Sequence, residues 1–421
     1  MNKDFKNNEL LQGLIWNYGS LAIMSVSGLL FNFLIVLFYD AAALGIFNRT
    51  YAWYCVLSQI TVCGVHMSVL KSTSEYKDNS RERKTIILSA LLEVLMLSSM
   101  CVTIFMGFLP YVVTDNKDFL TSMQLAMPGL IFLSLNKVIM NYLNGLSEMK
   151  IYALFQSLRY IAIVAALYIM GELKFESTWL SFAFTGAEVI VFLCSISYLI
   201  YKNLLGKRTS IKYIKMHMRF GVNILPASVV VELNTKVDII CLGFILRNDY
   251  LIGIYSFAVV FAEGFYQLYI TVRRSINPKI TECYVNNNFR QGIEKINANL
   301  KKYLTWISPV VLVLIAAGYC ILCLVLNQID YIAGGKFLVV ICTAILLNGR
   351  KVIFGNIFSQ IGFPVVESLI NMITVAFNFL LNFILISLFG LCGAAVATAI
   401  SHMIYGIIWQ YNAKKRLNVK I

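Results

Sequence analysis

Histidine, charge and glycine-rich loops are in short supply in this sequence, and each shortage removes a class of function. The three histidines, His66, His217 and His402, are scattered with no metal-ligand spacing, so no metal site is expected. No glycine-rich phosphate loop, exposed nucleophile motif or paired-carboxylate loop is present, so the chain gives no sign of an enzyme and none of a bound cofactor. Only 13% of residues are charged, too few for a soluble protein of ordinary composition. No connection is long enough for a separate soluble domain. The extended outward loop expected of a membrane glycan polymerase is also missing, which counts against that class. Cysteine is not scarce, at ten residues, but nearly all sit inside apolar stretches. The one close pair, Cys320 and Cys323, has no histidine or further cysteine beside it, so thiols buried as small hydrophobes are a simpler reading than metal or redox chemistry.

What is abundant is apolar length. Hydrophobic residues make up 59% of the 421, and the mean hydropathy is +0.74. Twelve apolar segments lie near 13–38, 45–70, 85–109, 119–143, 151–170, 178–201, 217–246, 250–272, 303–327, 332–359, 363–388 and 390–411. Each reaches the roughly 20 residues that cross a hydrocarbon core as a helix. The first is too long for a signal-peptide core and is expected to remain as a membrane helix. The fold class is therefore all-α: a polytopic membrane protein of about twelve transmembrane helices.

The net charge of +14 reports orientation before it reports a ligand. Alternate connections on one side, with both termini (Lys3, Lys6 and Lys420 among them, and Lys302 in the longest connection), hold 24 cations, and the opposite connections hold four, Lys117, Lys174, Arg247 and Lys336. This asymmetry places both termini in the cytoplasm. Nucleic acid is not an expected partner. The longest cytoplasmic connection, Arg273 to Lys302, has a charged, partly helical pattern over 289–302 and is expected along the membrane surface.

One segment carries a polar edge that lipid does not require. Along 363–388, Glu367, Asn371, Thr374, Asn378 and Asn382 recur at spacings of 4, 3, 4 and 4, which places them within an arc of roughly 80° on a helix. Such a stripe reads as the wall of a polar cavity. At an offset of 215 residues it lies on the fifth segment, pairing Asn141 with Asn356, Tyr152 with Glu367, Gln156 with Asn371 and Arg159 with Thr374. At an offset of 208, Leu44-Gly45-Ile46-Phe47 meets Ile252-Gly253-Ile254-Tyr255, Gln59 meets Gln267 and Lys71 meets Lys279. Two six-helix lobes in the same orientation, residues 1–206 and 207–421, are expected.

Seven cations (Arg49, Lys137, Arg159, Arg219, Lys236, Arg350, Lys351) and six carboxylates (Glu93, Glu188, Glu232, Asp238, Glu263, Glu367) remain within or at the edges of apolar segments. A charge at mid-membrane costs about 2.5–3.5 kcal/mol on insertion scales, so these groups pair with one another or line a cavity. Glu232 and Lys236, four apart, either neutralise one another or gate. Asp238 points to the other side of its helix and needs a different partner, which makes it a candidate for a coupling ion, H⁺ or Na⁺. Glu263, with Gln267 one turn on, is similar. Arg49 and Arg219 lie near segment ends, where reaching the headgroups explains them. Lys137 with Asn141 and Asn144, Arg159 with Gln156 and Tyr152, and Lys351 with Asn348 and Gly355 form further stripes. These suit a hydrated site for an anionic ligand, with structural pairing as the alternative.

The Gly-Ile-Phe and Gly-Ile-Tyr openings of the second and eighth segments, Lys236-Val237-Asp238 in the seventh and the cationic inner helices together resemble the polysaccharide flippases, or O-antigen translocases. These form part of the multidrug/oligosaccharidyl-lipid/polysaccharide exporter superfamily. The resemblance implies movement of a polyprenyl-pyrophosphate-linked oligosaccharide from the cytoplasmic to the outer leaflet of a bacterial cytoplasmic membrane by alternating access. It further implies membrane lipids and glycan polymerases or glycosyltransferases as partners. On this resemblance the substrate site comprises Lys137, Asn141, Gln156, Arg159, Lys351, Glu367, Asn371 and Asn378, and the ion-coupling site Glu232, Lys236, Asp238 and Glu263. The two extra C-terminal helices of the lipid II flippase type are missing, which favours the O-antigen or capsule branch. An ion-coupled multidrug exporter of the same fold is the rival reading.

Overall fold

The computed structural model describes residues 3–114, 116–286 and 288–417, with side chains from residue 15 onward except 302 and 303. The side chains of Lys3, Lys6, Lys302 and Lys420 lie outside the described residues. The chain folds into two compact units, Met1–Glu232 and Leu233–Ile421. Their boundary falls inside one helix, Ile211–Ile245.

The first unit contains α1 (Lys3–Phe38), α2 (Ala41–Val62), α3 (Val65–Glu75), α4 (Ser80–Val112), α5 (Lys117–Ala126), α6 (Gly129–Gly145), α7 (Met149–Glu172), α8 (Phe182–Tyr201) and the start of α9 (Ile211–Ile245). Short polar side chains start several of these helices. Asp40 accepts from the Ala43 N–H at 2.8 Å, Asn79 from Glu82 at 3.2 Å and Asn116 from Phe119 at 2.8 Å, each satisfying an otherwise orphaned donor. The apolar stretch 45–70 is not one straight helix. Cys63 and Gly64 take φ of 45° and 66°, and α2 and α3 diverge by 52° at that point. Gly64 is suited to the left-handed conformation, which a continuous helix cannot include. The stretch 119–143 is similarly divided at Met127 and Pro128.

The core of this unit is built by Val62, Val69, Ile87, Val94, Val138, Ile139 and Leu199, from α2, α3, α4, α6 and α8. In lipid, apolar burial gives little drive for one helix to meet another, so close approach depends on small residues. Gly129 meets this need: a Cβ there would lie 2.9 Å from the Thr185 Cα and from the Tyr54 hydroxyl. Phe184 stacks on Phe47, Tyr51 and Tyr54 with ring centroids 4.8–5.3 Å apart.

The second unit takes the remainder of α9, then α10 (Asp249–Val285), α11 (Phe289–Val325), α12 (Ile329–Ile332), α13 (Gly335–Ile353), α14 (Ile357–Gln360), α15 (Pro364–Phe389) and α16 (Leu391–Leu417). Both α10 and α11 contain 37 residues, about 55 Å each, well beyond a roughly 30 Å core. The connection expected to lie as a separate piece on the membrane surface is instead largely the helical continuation of both spans, α10 running to Val285 and α11 starting at Phe289. Its charged residues extend a helix that apolar residues have already nucleated, so propagation needs no apolar face of its own. Phe257, Phe261, Tyr319 and Tyr331 form an aromatic cluster among α10, α11 and α12, with centroids 5.0–5.6 Å apart.

Among the described residues ten helices or helix pairs are long and apolar enough to cross a membrane, and eleven if bent α2 and α3 count as one. The twelfth expected segment is α9, whose apolar run is interrupted by Glu232, Asn234, Thr235, Lys236 and Asp238. The chain is a polytopic all-α membrane protein. All ten cysteines are unpaired, and three of them, Cys194, Cys320 and Cys392, are exposed on helix surfaces rather than buried.

Candidate functional site

Each unit holds its own polar constellation inside the apolar bundle. In the first, α7 presents Arg159 and α8 presents Glu188, and the Arg159 Nε lies 2.6 Å from the Glu188 Oε1. Glu188 is 2% exposed and needs its remaining lone pairs satisfied. Asn136 of α6 does this, donating from Nδ2 to Glu188 Oε2 at 2.8 Å and to its backbone carbonyl at 2.9 Å. Lys137, the next residue on α6, points to a different neighbour and donates to the Ser58 hydroxyl of α2 at 2.8 Å. Asn141 turns back to the Lys137 carbonyl at 2.8 Å. Gln156 lies half-buried on α7 one turn before Arg159. Glu232, on α9, accepts from the Gln59 Nε2 of α2 at 2.9 Å.

Glu93 stands apart: it is 2% exposed, and neither carboxyl oxygen has a hydrogen-bond partner among the described residues.

The second unit is arranged around Asp238 of α9. Three neutral donors from three helices converge on its carboxylate: the Tyr255 hydroxyl of α10 at 3.0 Å, Asn382 Nδ2 of α15 at 3.0 Å and the Thr398 hydroxyl of α16 at 2.5 Å. Asn382 also donates to Asn378 Oδ1 at 2.9 Å, and Ser401 of α16 donates to the same oxygen at 3.1 Å. Among the described residues no Lys or Arg lies within ion-pair distance of Asp238. Lys236, two residues earlier, faces elsewhere and pairs with Glu263 of α10 at 3.3 Å, where the Glu263 side chain is 46% exposed.

The structure divides the polar edge of α15. Thr374, Asn378 and Asn382 are buried against the rest of their unit, whereas Asn371 is exposed and Glu367 half-buried. Glu367 accepts the Ser359 N–H at 3.2 Å. Lys351, at the end of α13, donates to Asn348 Oδ1 at 3.1 Å. So the structure brings Asp238 together with Asn378 through Asn382. Asp238 and Glu263 take different direct partners, as do Lys137 and Arg159.

Sequence reasoning had named Glu188 and Asn382 without their partners, and had missed Asn136, Thr398 and Ser401. Thr398, Ser401, His402 and Tyr405 follow spacings of 3, 1 and 3 on α16, a helical stripe of the kind that singled out α15.

Charge balance sets what each constellation can do. A guanidinium beside a carboxylate, braced by an amide, is neutral and closed. A carboxylate ringed by hydroxyls and an amide retains a charge that a low-dielectric interior does not tolerate, so it calls for a proton or a small cation. Oxygen donors from carboxylate, carboxamide and hydroxyl groups are the hard ligands that alkali cations take.

Residues 10–282 match the model of a family described as polysaccharide biosynthesis protein. A curated relative, the probable low-salt glycan biosynthesis flippase Agl15 of Haloferax volcanii, is 28% identical over 155 residues. That match spans 35% of this chain and 31% of the relative. Among solved structures, the lipid II flippase MurJ in an inward closed conformation superposes with a TM-score of 0.79 at 18% identity, covering 96% of this chain and 87% of that one. An inward-facing multidrug resistance transporter of the MATE family and MOP superfamily gives 0.77 at 13% identity, covering 94% of each chain. At these identities the structural matches speak for the fold.

Proposed function

The chain belongs to the polysaccharide biosynthesis protein family, and from that premise we propose that it is a flippase for a polyprenyl-pyrophosphate-linked oligosaccharide. The observation that carries this reading is the family match across most of the chain, on a fold shared with a lipid II flippase. The cargo is an O-antigen, capsule or similar repeat unit, moved from the cytoplasmic to the outer leaflet of a bacterial cytoplasmic membrane by alternating access of the two units. The protein performs no covalent step. Lys137 and Lys351, with Arg159 once it exchanges Glu188 for phosphate, supply positive charge for the pyrophosphate, and Asn141, Gln156, Asn371, Asn378 and Glu367 supply hydrogen bonds for sugars. Asp238, with Tyr255, Asn382 and Thr398, takes the coupling proton or Na⁺; Glu232, Lys236 and Glu263 accompany it. Membrane lipids, the lipid-linked oligosaccharide and glycan polymerases or glycosyltransferases are the partners.

The test is a deletion strain analysed for lipid-linked oligosaccharide by leaflet. Accumulation on the cytoplasmic leaflet, relieved by the intact gene, is expected; unchanged surface glycan with no accumulation would sink the reading. Both termini are cytoplasmic in this proposal. Cysteine tags at positions 77, 212 and 295 should then label from the cytoplasm and tags at 116 and 330 from outside.

The fold match to a MATE multidrug transporter favours a second reading, an ion-coupled exporter of small molecules. Seven intramembrane cations against six acids favour an anionic cargo over the cationic drugs such an exporter takes. Drug sensitivity of the same deletion strain separates the two readings.

A further inference from the structure

The C-terminal unit contains a cationic place whose central groups, Arg273, Tyr405 and Gly355, have no role above; Lys351 is the one residue it shares with the pyrophosphate contacts. Arg273 of α10 and Tyr405 of α16 converge on Gly355, in the connection between α13 and α14. A Cβ built on Gly355 would lie 2.9 Å from Arg273 Nη1 and 2.8 Å from the Tyr405 hydroxyl. Lys351 and Arg350 occupy the last turn of α13, immediately before this connection. Among the described residues no carboxylate pairs with Arg273, Arg350 or Lys351. The carboxylate of this region, Glu367, is engaged by the Ser359 N–H at 3.2 Å. On α10, Asn277 follows Arg273 by one turn on the same face, and its Oδ1 is buried without a partner. Rotating that carboxamide puts an NH₂ donor in the same position. The Tyr266 ring, two turns before Arg273, packs at 5.6 Å from His402 and closes the other end.

These groups share a chemistry. The guanidinium offers a planar fork of donors, the ammonium, hydroxyl and carboxamide add further donors, and Arg273, Arg350 and Lys351 against the nearby carboxylate, Glu367, leave the local charge net positive. Phosphate oxygens match such a set, being acceptors that take bidentate contacts from Arg. Gly355 contributes by having no side chain, because a Cβ would stand between the two converging donors and anything approaching them. We propose that Arg273, Tyr405, Lys351 and the bare backbone at Gly355 form a binding site for the phosphate group of a membrane lipid. Two lipids carry that group: the diphosphate of a polyprenyl carrier, which alone rests on the flippase reading, and the headgroup of an anionic phospholipid.

The test uses the full chain purified in neutral detergent, titrated with inorganic pyrophosphate and followed by a fluorescence binding signal. Arg273→Gln and Gly355→Ala should each weaken binding by roughly tenfold or more, as loss of one or two charge-assisted hydrogen bonds implies. Lys77→Gln, a change in a surface connection, should leave it unaltered. A polyprenyl diphosphate that competes where phosphatidylglycerol does not assigns the site to the carrier; the reverse assigns it to the phospholipid, and either supports a phosphate site. Should Arg273→Gln lower the melting temperature, Tyr405→Phe and Gly355→Ala carry the measurement. Wild-type protein that binds no pyrophosphate, or folded variants that bind it as tightly as wild type, overturns the proposal. That failure is separate from a failure of the flippase reading, which the deletion strain reports and pyrophosphate binding does not.

Discussion

Each unit places a carboxylate inside its helical bundle, Glu188 at 2% exposure and Asp238 half-buried, and compensates it in an opposite way. In the first unit Glu188 meets a guanidinium at 2.6 Å and a carboxamide at 2.8 Å. In the second, Asp238 meets two hydroxyls and a carboxamide, and no cation among the described residues. Glu188 is held between α7 and α8 with α6, and Asp238 of α9 is held by α10, α15 and α16. The lesson is one of charge balance. A closed pair holds a bundle together and frees its cation only by breaking, whereas a carboxylate with neutral donors only keeps an uncompensated charge.

Four tests press on this contrast. The largest effect is expected at Asp238→Asn, which keeps the shape and removes the charge. Transport against a gradient in proteoliposomes should be lost while membrane insertion and melting temperature are retained; full transport would show the carboxylate to be structural, like Glu188.

Breaking the pair in the other unit should act on stability instead. Arg159→Ala leaves Glu188 buried and unpaired, at a cost of about 3–5 kcal/mol, read as a lower melting temperature in detergent. Adding Glu188→Gln should recover much of that loss. Arg159→Lys discriminates further: near-complete rescue of glycan export marks a structural pair, and partial rescue marks a lost bidentate contact to phosphate.

Removing one donor from Asp238 should be milder. Thr398→Val or Tyr255→Phe deletes one hydrogen bond to a charged group, about 1.5–3 kcal/mol. For a cation bound at that carboxylate, the measurable result is a shift of the ion concentration giving half-maximal transport, with the maximal rate maintained. An unchanged ion dependence would detach the hydroxyls from the coupling site.

The smallest effect is expected at Glu263→Gln. Its pair with Lys236 is 46% exposed on the carboxylate side, and pairs of that kind contribute about 0–1 kcal/mol. Transport close to wild type is expected of a residue that only accompanies Asp238, and a loss as deep as that of Asp238→Asn would make Glu263 itself a ligand of the ion.

Much of the fold was legible in the chain, because a membrane core imposes a length and an apolarity that a sequence cannot disguise. The breaks were less so. Gly64 lies in an otherwise apolar run, and nothing local distinguishes it from a glycine that packs inside a helix, such as Gly349 of α13, where a Cβ would meet the Tyr269 ring. The long connection between α10 and α11 read as a surface segment because its charge is high, yet charge does not end a helix whose backbone bonds are already propagating. In the candidate site, the stripe on α15 correctly put Asn378 and Asn382 on one face. It could not reveal that the buried half of that face meets Asp238 and Ser401 while Asn371 stays exposed.

The sequence by itself determined the solvent this protein folds in, the helices that cross it and which charged residues lie among apolar ones, since each of these follows from local composition and a period of 3.6 residues. Only the tertiary structure decided the partners. Arg159 and Glu188 are separated by 29 positions, and Asp238 and Thr398 by 160. Their meeting is fixed by which helices pack side by side and at what height, and helix periodicity carries no information about either.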